Sequence, residues 1–119
     1  MKKTLVIGAS EDTSRYAYLA INMLQEYGYD VVPLGKQTGS INGTQILTGT
    51  PELTDIDTVT LYINPKRQAP LYDYISGLKP KRVIFNPGTE NREFENQLKE
   101  KGIEVLEACT LVMLRSHQY

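Results

Sequence analysis

The chain opens on Thr4-Leu5-Val6-Ile7, an unbroken apolar run closed by Gly8, and short runs of this kind recur to its end. A strand with one wet face alternates apolar and polar residues. A strand apolar at every position has both faces covered, as in a parallel sheet lying between helices. What separates the runs supports this. After the polar stretch from Ser10 to Ser14, Tyr16, Leu19, Ala20, Met23, Leu24 and Tyr27 recur at helical spacing. Thr13 or Ser14 is placed to cap that helix and Gly28 to stop it. Tyr29 to Leu34 then forms a second strand that ends at Gly35. The sequence therefore predicts a strand–helix–strand unit with a right-handed crossover.

The alternation continues. The segment from Lys36 to Thr44, rich in Gly, Ser, Thr and Asn, reads as a loop, Ile46-Leu47 as a brief edge strand, and Glu52 to Ile56 as a short turn. Thr58 to Ile63 is a strand stopped by Asn64-Pro65. Pro70 takes the first position of a helix whose buried stripe is Leu71, Tyr74, Ile75 and Leu78. Arg82-Val83-Ile84-Phe85 is a strand broken by Asn86-Pro87-Gly88. A charged helix follows, with Phe94 and Leu98 inward and Glu95–Lys99 as an exposed pair. Gly102 ends it, Ile103 to Leu106 is the last strand, and Leu111 to Leu114 a terminal helical turn. The pattern predicts an α/β fold, an open doubly wound parallel sheet of about five strands flanked by helices. With 119 residues and no internal repeat or linker, the expectation is one domain over 1–119.

In such a sheet the ligand crevice lies beyond the carboxyl ends of the strands, where strand order reverses. Here those ends are Gly8-Ala9-Ser10, Pro33-Leu34-Gly35-Lys36, Asn64-Pro65 and Asn86-Pro87-Gly88. Turns that feed helix N-termini present free N–H groups and the positive end of a helix dipole, so an anion is the natural guest. Any one turn alone also reads as chain punctuation; four at one edge favour a crevice. The dinucleotide fingerprint G-x-G-x-x-G is absent, because Gly8-Ala9-Ser10-Glu11-Asp12-Thr13 keeps only its first glycine. Where NAD binding needs an acidic residue after the second strand, the chain has Lys36, which suits a phosphate on a ribose or, as a bland alternative, a solvated loop. No Walker-type phosphate loop occurs.

Composition removes other classes. The chain has 13 Lys+Arg against 14 Asp+Glu, a formal charge of -1 that argues against a nucleic-acid partner. No apolar run approaches the roughly 20 residues of a membrane span. Cys109 is the only cysteine, so no intramolecular disulfide forms, which suits a reducing cytoplasm. One Cys and one His cannot supply a typical zinc site. A nucleophilic thiol needs a neighbouring base, and His117 lies in what reads as a frayed tail, so Cys109 is expected to be a small buried hydrophobe. The pairs Glu11-Asp12 and Asp55-Asp57 fall in polar turns. Most of the 8 tyrosines read as packing, with Tyr62 near a strand end placed to touch a ligand. No catalytic constellation and no metal site emerge.

Several stretches together resemble a known family: Val6-Ile7-Gly8-Ala9-Ser10, Ser14-Arg15-Tyr16-Ala17, Tyr27 to Leu34, Ile41-Asn42-Gly43, Leu53 to Asp57, Asn86-Pro87-Gly88 and Cys109. Their order and spacing are similar to the stand-alone CoA-binding domain proteins, whose fold is like the N-terminal domain of the succinyl-CoA synthetase alpha subunit. The resemblance implies a Rossmann-like domain that binds coenzyme A or an acyl-CoA. On it, Gly8, Ala9 and Ser10 receive a phosphate, helped by Ser14 and Arg15. Pro33, Leu34, Gly35 and Lys36 line the adenosine end, with Lys36 at the 3′-phosphate. Asn64, Pro65 and Arg67 border the adenine or the pantetheine arm, and Asn86, Pro87 and Gly88 face that arm. The chain departs from the family pattern in having Asn86 where Gln is frequent, Ala108 where a basic residue precedes the Cys, and Leu34-Gly35 where Asn-Pro is usual. The function so implied is non-catalytic binding, as a sensor or accessory chain, with no membrane or nucleic acid and with a homodimer as one possible assembly. Two other readings stay open: an NADP-type oxidoreductase using Lys36 for a 2′-phosphate, and a degenerate member acting through protein contacts.

Overall fold

The computed structural model describes residues 2–119; Met1, the first residue of the expected domain, lies outside them. Along the chain run β1 (Lys3–Ala9), α1 (Tyr16–Glu26), β2 (Asp30–Gly35), β3 (Gly39–Ile41), β4 (Thr44–Ile46), β5 (Thr58–Leu61), α2 (Pro65–Gln68), a 3-10 turn (Ala69–Leu71), α3 (Tyr72–Gly77), β6 (Arg82–Phe85), α4 (Arg92–Glu100), β7 (Glu104–Glu107) and α5 (Thr110–Arg115). The main sheet has five strands in the order β2-β1-β5-β6-β7, all parallel. The expected doubly wound α/β sheet is therefore present. The chain first winds from β1 outward to β2, then returns past β1 to build β5, β6 and β7. The strand order thus reverses between β1 and β5, which fixes where a crevice opens.

Side chains alternate across each strand, so each strand feeds two layers. Leu5, Ile7, Val59, Leu61, Val83 and Phe85 pack against Ile75, Phe94 and Leu98 on one side. Val6 and Ile84 pack against Ala17, Ile21, Leu24 and Leu114 on the other. Both layers are buried at their centres, which explains strands that read as nearly continuous apolar runs.

The structure changes several expectations in detail. The Lys36–Thr44 loop contains β3, which pairs antiparallel with β4 as a hairpin, and Leu47 bridges to Leu34 beside it. The hairpin turns on Asn42 and Gly43, at φ 51 and 80, the tight turn that an Asn-Gly pair favours. On α1 the buried residues are Ala17, Ala20, Ile21 and Leu24, while Tyr16, Leu19 and Tyr27 are exposed. The small alanines let the helix approach the sheet, Ile21 and Leu24 fill the core beside them, and Tyr16, Leu19 and Tyr27 are left outside. Neither Thr13 nor Ser14 caps α1; Arg15 is its N-cap residue and gives no side-chain hydrogen bond. The helix expected from Pro70 is α3, which begins at Tyr72 after the 3-10 turn that holds Pro70. A separate short helix, α2, starts at Pro65, where the Asn64 side chain accepts from the Arg67 N–H at 3.0 Å. Glu95 is buried, not paired with Lys99, because its carboxylate accepts the Asn91 N–H at 2.9 Å while Asn91 caps α4 through the Phe94 N–H. Cys109 is half-buried, just before α5. The C-terminal tail is packed rather than frayed: Tyr119 is buried and its hydroxyl hydrogen-bonds that of Thr4.

Candidate functional site

Beyond the carboxyl ends of β1 and β5 lies a cleft of about 480 Å³, lined by residues of four loops. β1 ends in a bulge at Gly8: Ile7 pairs with Leu34 and Ala9 with Gly35, leaving Gly8 as the extra residue, at φ 106. A side chain at Gly8 would press on Tyr62 at 3.1 Å, so only glycine lets the turn leave the sheet here. At Gly35 the constraint is closer still, since a Cβ would lie 2.2 Å from the Ala9 carbonyl oxygen. That approach holds the ends of β1 and β2 together and puts Lys36 at the cleft wall.

Nine of the residues picked out in the sequence line the cleft: Gly8, Ala9, Ser10, Arg15, Lys36, Asn64, Arg67, Pro87 and Gly88. The other six do not. Pro33 and Leu34 are buried in β2, and the Pro33 carbonyl and Gly35 N–H bond the backbone of Leu47. Ser14 faces the loop, with its N–H and hydroxyl both donating to Asp12. Pro65 opens α2 behind Asn64. Asn86 turns its amide inward, donating to the Thr60 hydroxyl at 2.6 Å and the Leu61 carbonyl at 2.8 Å, while its oxygen accepts the Thr110 N–H at 2.9 Å. It joins β6 to β5 and to α5, and with both amide hydrogens donated and the side chain buried it faces away from the cleft.

Sequence reasoning missed part of the lining, namely Glu11, Tyr16, Ala17, Gln37, Thr38, Ile46, Ile63 and Thr89; Tyr62, singled out only for its place, is part of it. It also missed the buried side chains that hold the loops. Gln68 donates to the carbonyls of Ile63 and Thr89, each at 2.8 Å, and accepts from the Asn91 amide at 2.9 Å. It ties the loop after β5 to the loop after β6. Glu11 accepts the Ser40 N–H at 2.9 Å and latches the first loop to the hairpin. Nothing in residue spacing marks Gln68, whereas the Asn42-Gly43 pair is a readable hairpin signal.

The cleft wall is cationic on balance. Arg15, Lys36 and Arg67 stand against a single lining carboxylate, Glu11. Arg15 also lies 3.6 Å from Asp12. The Ser14 hydroxyl and N–H, and then Arg15, hold the Asp12 carboxyl below its usual range, so the first loop is wired by its own side chains. Arg15, Tyr16 and Ala17 bring the N-terminus of α1 to the cleft, and that terminus has no side-chain cap. Its first-turn N–H groups and dipole are open to an anion.

The chain matches the CoA binding domain family over residues 2–115. It belongs to that family. Among solved structures, an uncharacterized protein is 52% identical, with TM-score 0.97 over 100% of this chain and 98% of the other. A Thermus thermophilus structure, cell-free ID.343, is 27% identical, with TM-score 0.84 over 99% and 90%. A dinucleotide forming acetyl-coenzyme A synthetase from Ca. Korarchaeum cryptofilum, solved with phosphate and ADP, is 19% identical with TM-score 0.72. It covers 90% of this chain but only 25% of that one, so the likeness is one of fold within a larger protein. No curated protein gives a match. The CoA binding domain formed by this chain has no helix, among the described residues, that is long and apolar enough to cross a membrane.

Proposed function

We propose that this domain binds coenzyme A, or an acyl-CoA, in the cleft beyond β1 and β5, and performs no chemistry on it. The observation that carries the proposal is the uncapped N-terminus of α1, opening between Arg15, Lys36 and Arg67. CoA is highly anionic, and this cleft offers dipole and cations where the chain as a whole carries a charge of -1. Its volume of about 480 Å³ is that of a small-molecule site. The Gly8-Ala9-Ser10 turn and Arg15 would take the diphosphate, and Lys36 the 3′-phosphate. Asn64, Arg67, Pro87 and Gly88 would border the rest of the molecule.

CoA supplies the thiol or thioester; the residues of the cleft bind and orient it. The non-catalytic part of the reading is supported by the lining itself. It includes neither His117 nor Cys109, and its carboxylate, Glu11, is engaged with the Ser40 N–H. A lone half-buried thiol agrees with a reducing, cytoplasmic setting, and a sensor or accessory role with a domain that binds without reacting. Isothermal titration with CoA is expected to give saturable one-to-one binding, and no heat at millimolar CoA would remove the ligand assignment. A thermal-shift comparison of CoA, NADP and NAD tests the competing dinucleotide reading, since whatever binds the native state raises its melting temperature. A larger shift with NADP than with CoA would favour the oxidoreductase.

A further inference from the structure

The chain carries two longer surface helices of opposite character. α4, from Arg92 to Glu100, is charged along its outer side. From Tyr16 to Gln25, ten consecutive residues, α1 has no charge at all. Its inner face, Ala17, Ala20, Ile21 and Leu24, is spent on the sheet. Along the edge of that face, Tyr16, Leu19, the half-buried Met23 and Tyr27 follow one another at intervals of 3, 4 and 4 residues, a line nearly parallel to the helix axis. Tyr16 is 70% exposed, Leu19 and Tyr27 41% each, and Val112 of the neighbouring α5 is 58% exposed. These are the large exposed hydrophobic side chains of the described residues, and they lie on two adjacent helices. Contiguous apolar surface of this kind marks an interaction site rather than a solvated face.

The charges at its ends select the occupant. Arg15 flanks the stripe at its N-terminal end and Glu26 at its C-terminal end, both exposed. We propose that the chain dimerises about a two-fold axis through α1, with the two helices antiparallel. Leu19 then packs against Met23 of the partner subunit, and in the ligand-free chain Arg15, which lies at the cleft edge beside Asp12, meets Glu26 of the partner subunit at both ends. A parallel arrangement would set Arg15 against its own copy and Glu26 against its own copy. The antiparallel one also opposes the two helix dipoles. A patch whose two halves complement each other under a two-fold rotation is what an isologous interface requires. α1 is short, about 16 Å for 11 residues. Even with Val112 beside it, the contact falls short of the roughly 800 Å² per partner of a standard interface, so the dimer is weak and concentration-dependent.

Sedimentation equilibrium over a range of chain concentrations tests this. The wild-type chain is expected to pass from monomer to dimer as its concentration rises toward millimolar. Leu19→Glu puts a charge at the centre of the stripe and is expected to stay monomeric throughout, with an unchanged circular dichroism spectrum because Leu19 lies outside the core. Glu26→Arg, at an exposed helix end, should weaken the dimer several-fold, and Arg15→Glu added to it should restore it. A wild-type chain that is monomeric at millimolar concentration overturns the proposal, as does a dimer that Leu19→Glu leaves intact. A double variant no stronger than Glu26→Arg alone overturns the antiparallel pairing.

Discussion

Under α3 and α4 the sheet presents Leu5, Ile7, Val59, Leu61, Val83 and Phe85. Under α1 and α5 the alternate positions of the same strands present Thr4, Thr58, Thr60 and Arg82 alongside Val6 and Ile84. All four polar residues are buried, and each is hydrogen-bonded: Thr4 to Tyr119, Thr58 to Arg82, and Thr60 to Thr110 and Asn86. The two faces do different work. Apolar burial has no direction and holds the first face through area and packing. Hydrogen bonds are directional, so the second face fixes register as well as contact. Its row of Thr60, Asn86 and Thr110 ends at the strand edge where the cleft opens. The apolar face stabilises the sheet; the polar face locates the loops.

The largest effect is expected from breaking the apolar face. Phe85 is fully buried, edge-on to Phe94 at 5.9 Å, and Phe94 stacks on Tyr72 at 4.3 Å. Phe85→Ala is expected to cost about 3–5 kcal/mol, by the removed area and the cavity left behind. Urea denaturation measures it. A loss below about 1 kcal/mol would mean that this face is not the main source of stability.

The matching cut on the polar face is Asn86→Ala. It leaves the Thr110 N–H without its acceptor and the Leu61 carbonyl without its donor. Each buried group so stranded costs about 1–3 kcal/mol, less what local relaxation recovers. Because Asn86 holds the cleft edge, its loss should also weaken CoA binding, whereas Phe85→Ala in its folded fraction should not. Equal effects of the two variants on affinity would erase the distinction between the faces.

The same distinction shows what the sequence could disclose. The apolar runs, the helical spacing and the breakers Gly8, Asn64-Pro65 and Asn86-Pro87-Gly88 yield element order and the cleft edge, because period and turn chemistry are local. They do not yield direction. Asn86 reads as a turn residue at a ligand edge, yet its amide points into the protein, a choice set by Thr60 and Thr110, distant in the chain. Helix α1 carries apolar residues on two adjoining stripes at helical spacing, and periodicity alone does not say which one meets the sheet. The sheet selected the stripe with Ala17 and Ala20, whose small size permits close approach. The β3–β4 hairpin escaped because strands of 3 residues show no alternation, although its Asn42-Gly43 turn was legible.

A third test uses tyrosine ionisation. Tyr62 lies on the polar face with its hydroxyl buried and unpartnered among the described residues. Burial pushes its pKa well above the ordinary 10.0, against the pull of the nearby Thr110 and Thr60 hydroxyls. The folded state thus holds the proton longer than the unfolded chain does. The stability this contributes is complete below pH 10 and is lost as the pH climbs past it. Tyr62→Phe should be near neutral at pH 7, since it removes an unpaired hydroxyl, and should flatten the alkaline loss. Tyr74, whose hydroxyl donates to the Pro51 carbonyl beside the apolar face, is also raised by burial, less deeply. Tyr74→Phe is expected to flatten the alkaline limb less. The reverse ranking in pH-dependent melting would show that the polar face is not the one that resists ionisation.

The smallest effect belongs to a residue on neither face. Lys36 is exposed at the cleft wall, and Lys36→Ala should change stability by no more than about 0.5 kcal/mol. Its contribution to binding is equally modest, because an exposed ion pair is worth about 0.2–1 kcal/mol, which is at most about fivefold in affinity. The informative quantity is therefore a difference. If Lys36 meets the 3′-phosphate, Lys36→Ala weakens CoA but not dephospho-CoA, and added salt narrows the gap between the two ligands in the wild type. Titration calorimetry with both ligands measures it. Equal weakening of both would move Lys36 from the 3′-phosphate to the diphosphate, which the two ligands share. The anion would then lie across the mouth of the cleft rather than along β2.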